Sequence, residues 1–130
     1  AGVSVYSGLR RPERTMRKFA RWMSPDVEIT DGEMQLLLIA LLGFRPHIPF
    51  PRPLDEDSLR AVRTPTLVLL GADTVLFDPV EAAARVKWLI PNVEVDIVEG
   101  TGHGLPLAKP QYVTQRILGF IADPACPSRP

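Results

Sequence analysis

The chain lacks a partner for its one cysteine. Cys126 stands alone among 130 residues, so no intrachain disulfide can form, and a reducing, cytoplasmic setting is the expectation. Charge of one sign is also missing. Fifteen basic and fifteen acidic residues cancel, which removes the general electrostatic case for a nucleic-acid partner. The longest uninterrupted apolar run, Leu36 to Leu42, falls far short of the ~20 residues of a membrane helix, so no membrane span is expected. No basic segment followed by an apolar stretch opens the chain, and none of it reads as a signal peptide. Phosphate-binding strings are absent too. Gly100-Thr-Gly-His-Gly104 lacks both the third glycine spacing and the lysine that nucleotide loops use. Neither His47 nor His103 stands at metal-ligand spacing with cysteine or acid, so neither zinc nor any other cofactor is expected.

What is there divides into two halves. Charge is segregated: residues 1 to 23 hold six cations against Glu13 alone. Within that stretch Met16, Phe19, Ala20 and Met23 fall at helical spacing with cations on the other faces, which predicts an amphipathic surface helix from Arg14 to Met23. An acidic stretch with Asp26, Glu28, Asp31 and Glu33 leads into Met34 to Phe44, a helix apolar nearly all round. Such a helix must be covered on several sides or line an apolar cavity. Four prolines between Arg45 and Pro53 then exclude regular structure, and His47 among them reads as a solvated side chain with no role.

After a short helical stretch from Asp55 to Val62 the pattern changes to strand, helix, strand, helix. Thr66 to Leu70 is a continuous apolar run between Pro65 and Gly71, the signature of a parallel strand buried on both faces. Asp78, Pro79 and Glu81 supply the N-cap, first turn and capping partner of a helix from Val80 to Ile90. Val93 to Val98 alternates as a strand with one less buried face, and Pro110 to Ala122 closes the series as a helix. A strand, a crossover helix of this length and a second strand predict a right-handed βαβ unit.

In open α/β sheets, chemistry collects beyond the carboxyl ends of the strands. There the sequence places Gly71 to Pro79, which offers carboxylates, and Glu99 to Pro106, which offers His103 between Gly102 and Gly104. A carboxylate beside an imidazole can fix its tautomer and stabilise its protonated form. Spacing alone leaves His103 open between that use and a solvated residue in a glycine-rich turn.

These residues resemble a known family. Pro65-Thr-Leu-Val-Leu-Leu-Gly71, the Asp78-Pro79 helix start, Ile90 to Val98, Gly102-His-Gly-Leu-Pro106 and the segment from Pro110 look like the last two strands and helices of α/β-hydrolases, bacterial carboxylesterases in particular. The resemblance implies residues 1–54 as a helical cap-like segment, 55–123 as the C-terminal βαβα part of the hydrolase core, and 124–130 as a tail. It implies a serine, acid, histidine triad in that chain order, with His103 as the catalytic histidine and a small-molecule ester or other acyl compound as substrate. Two departures go with it. No G-x-S-x-G elbow is present, Ser4 in Gly2-Val-Ser-Val-Tyr6 being a poor substitute, so the nucleophile and the earlier strands are expected to lie before Ala1. The family's acid position falls on Thr74, which leaves Asp73, Asp78 or a residue outside the chain, and Asp73 is the candidate retained. A non-catalytic binding or interaction module of the same fold is the alternative. Unpaired strand edges lead to an expectation of self-association or of pairing with the missing N-terminal part.

Overall fold

The computed structural model describes residues 12–43 and 52–122. The proline-rich connector around His47, the string containing Ser4 and the tail with Cys126 lie outside the described residues. Two helices come first, α1 (Pro12–Met23) and α2 (Asp31–Gly43), packed on each other. Arg17 of α1 joins them. Its guanidinium pairs with Glu13 one turn earlier and with Asp31 at the start of α2, and it also donates to the Ile29 carbonyl at 3.3 Å. A capping box starts α2: the Thr30 N–H and hydroxyl both donate to Glu33 Oε2, at 2.9 and 2.7 Å, and the Glu33 N–H returns to Thr30 Oγ1.

The core unit follows as α3 (Glu56–Arg60), β1 (Thr66–Gly71), α4 (Pro79–Leu89), β2 (Val93–Val98), α5 (Leu105–Ala108) and α6 (Pro110–Ala122). The strands pair in parallel, residue for residue, from Thr66 opposite Val93 to Gly71 opposite Val98. Helix α4 packs on both strands, and α6 packs on β1 and on the short α5. Asp78 is the α4 N-cap, its Oδ1 accepting from the Val80 and Glu81 amides at 2.8 and 3.0 Å.

Burial differs from the sequence expectation at β1. Its residues Thr66 to Leu70 are half-buried and only Gly71 is buried, because the sheet among the described residues has two strands and leaves an edge on each. The polar face of β2 is also occupied. Glu94 and Asp96, two residues apart and so on one face, are both bound by Arg116 of α6, and the Tyr112 hydroxyl donates to Asp96. That double pairing holds the Arg116 guanidinium above its ordinary range. Around α2 only Met34 is buried, while Leu36 and Ile39 are more than two thirds exposed.

Candidate active site

Gly71 and Val98 end their strands opposite each other, so the loops that follow leave from one level. Backbone hydrogen bonds then join the loops: the Ala72 N–H donates to Val98 O at 3.0 Å and the Asp73 N–H to Thr101 O at 2.9 Å. Thr101 is fully buried, and its hydroxyl donates to the Val98 carbonyl at 2.7 Å. The contact is tight enough to require glycine. A Cβ on Gly71 would stand 2.1 Å from the Gly102 carbonyl oxygen, inside any permitted separation. Gly100 turns the chain with a φ of 65°, in the left-handed region that glycine enters without strain.

The other side of the histidine loop rests on the turn that ends α1. Three successive amides donate to it: Gly102 N–H to Asp26 Oδ1 at 3.1 Å, His103 N–H to Met23 O at 3.0 Å, and Gly104 N–H to Ser24 Oγ at 2.6 Å. The glycines beside His103 are therefore needed for close approach. A Cβ at Gly102 would meet Met23 O at 2.7 Å, and one at Gly104 would meet Ser24 Oγ at 2.8 Å. The sequence pattern makes Asp26 part of an acidic lead into α2 and singles out no role for Ser24. The available signal was a Ser-Pro-Asp turn directly after a helix, where short polar side chains bond to backbone.

His103 is exposed and sits between two cavities. One, of about 530 Å³, lies between the first two helices and the histidine loop, its apolar wall including Met16, Phe19, Met23, Leu37 and Leu41. The helical stripe of α1 and one side of α2 thus line a cavity, the second of the two uses expected of an all-apolar helix. The smaller, of about 230 Å³, adjoins the end of β1 and is walled by Gly71, Thr74, Phe77 and Val113. Among the described residues the His103 ring makes no hydrogen bond. Asp73 is exposed, with no bond from its carboxylate to His103, and it does not line the smaller cavity. Thr74 does. It is buried, and its hydroxyl has no partner among the described residues. Nor do three His, Cys, Asp or Glu side chains gather there as a metal site would need, and no described helix is long and apolar enough to cross a membrane.

No family model matches the chain. Over 72 residues, 55% of its length, it is 35% identical to the Bacillus subtilis protein named uncharacterized carboxylesterase nap and 32% identical to carboxylesterase YbfK of the same organism. In each case the match spans 24% of the relative, so the chain covers about a quarter of the length of these two relatives. The crystal structure of naproxen esterase from Bacillus subtilis superposes with a TM-score of 0.73 at 28% identity, over 81% of this chain and 40% of that one. With its parallel strands, flanking helices and loop pair at one sheet edge, the chain is a carboxylesterase-like α/β-hydrolase region, equivalent to part of that fold.

Proposed function

We propose that the chain is the histidine-bearing part of a serine esterase that acts on small apolar esters in the cytoplasm, with His103 as general base and acid. The observation that supports this best is the position of His103, on a loop beyond the sheet edge and on the wall of the large apolar cavity. In this reading a serine hydroxyl from a segment outside these 130 residues attacks the ester carbonyl as the imidazole takes its proton. The same proton then goes to the departing alkoxide, and water releases the acyl group by the reverse pair of steps. Asp73 is the orienting acid. Its backbone is bonded to the histidine loop, whereas the carboxylate of Asp78 is already engaged in capping α4. The chain alone should not turn over a p-nitrophenyl ester, since it contains no elbow serine. Supplied with the nucleophile segment, as a longer product or a complementing fragment, it should become active, and His103→Ala should remove that activity. Unchanged turnover in the His103→Ala protein would refute the assignment.

Thr74 favours a second reading. A buried hydroxyl stands where the family resemblance puts the acid, as in a relative that keeps the pocket and has lost the chemistry. Saturable binding of an apolar ester, with no turnover in the complemented protein, would select it.

A further inference from the structure

We propose that Ser24 and Asp26 are positioning residues for His103, acting from the turn that ends α1. The proposal rests on the catalytic reading of His103 and adds to it a second set of residues, more than seventy positions away in sequence. The His103 ring makes no hydrogen bond among the described residues, so its location is set by the backbone that bears it. That backbone is attached on two sides: to the strand ends, where the Asp73 N–H also donates to Thr101 O, and to the turn after α1. Thr101 ties the loop to β2 through its hydroxyl, and the next three residues are tied to the turn after α1. Two of those three bonds end on side chains, one of them a carboxylate, which makes a stronger acceptor for an amide than a neutral oxygen does. The glycines that admit the turn would clash with it if they carried a Cβ, so the two surfaces are fitted to each other. Met23, Ser24 and Val27 also line the large cavity beside His103. One turn therefore forms part of the cavity wall and fixes the histidine.

The test is amide hydrogen exchange on the full chain, with ester turnover by the complemented protein. Ser24→Ala should speed exchange at Gly104 up to about tenfold, and Asp26→Ala should do so at Gly102, the effect of losing one hydrogen-bond acceptor. In the complemented protein Asp26→Ala, whose side chain does not line the cavity, should lower kcat with little change in KM. The β1 amides of Val68 and Leu70, which face β2, should keep their protection, and Asp26→Asn, which retains an oxygen acceptor, should restore most of it at Gly102. Unchanged loop exchange in the alanine variants, or unchanged kcat in complemented Asp26→Ala, would overturn the proposal. So would a loop that is unprotected in the unsubstituted chain. Loss of β1 protection in step with the loop would overturn it as well, since the turn would then hold the fold and not the histidine. Failure of the complemented protein to hydrolyse esters would sink the catalytic reading while leaving these backbone results in place.

Discussion

Asp73 and Asp78 lie five residues apart in one loop, and substitution separates them. Asp78→Ala removes an N-cap that satisfies two amides and should cost about 1 kcal/mol of stability with little effect on chemistry. Asp73→Asn should do the reverse in an active, complemented protein, cutting kcat by orders of magnitude and leaving the melting temperature nearly unchanged. Full activity in Asp73→Asn would move the acid role to Asp78 or beyond the chain. Gly71→Ala tests the loop contact. Its Cβ would meet a backbone carbonyl, which cannot swing aside as a side chain can, so a loss of about 1–3 kcal/mol or more is expected by chemical denaturation. A melting curve identical to that of the unsubstituted chain would show that the loops are not in contact.

Among the elements, α6 runs from Pro110 to Ala122 as its sequence pattern indicates, and α4 and both strands fall within a residue of their expected ends. Those elements were legible because cap residues, prolines and periodicity are local signals. The four-residue α5 was not, being too short to show a period. The contact of Ser24 and Asp26 with the histidine loop was not legible either, since nothing in the spacing of residues 24 and 104 says that they meet. Local capping has a pH signature as well. Bonds from the Thr30 hydroxyl and then its amide hold the Glu33 carboxyl below its ordinary range, and bonds from Ser58 do the same for Asp55. For a depressed carboxyl the stabilisation is complete above the unfolded value and fades as pH falls through the folded one. Helices α2 and α3 should therefore lose support as pH falls below the ordinary carboxyl range, 4.5 for Glu33 and 3.8 for Asp55. Glu33→Gln should flatten that dependence for α2, so melting temperatures of the two proteins should converge as acid is added. Parallel curves over that range would show that the cap does not titrate with folding.

At the scale of the molecule, among the described residues the two-stranded sheet and the outward Leu36 and Ile39 leave apolar surface and unpaired backbone uncovered. Self-association of the isolated chain is expected, read as a sedimentation coefficient that rises over a tenfold increase in concentration. A concentration-independent monomer with a sharp, cooperative thermal transition would contradict it. Whatever covers those surfaces, the bond between Ser24 and Gly104 joins residues 80 positions apart and so introduces an order in time. During synthesis at ~5–20 residues per second, the α1 segment is complete roughly 4–16 s and the α2 segment roughly 3–12 s before Gly104 is made. For that interval their apolar faces have no histidine loop beneath them. The cavity and the placement of His103 then arise in one late event, so a chain halted before Gly104 has neither.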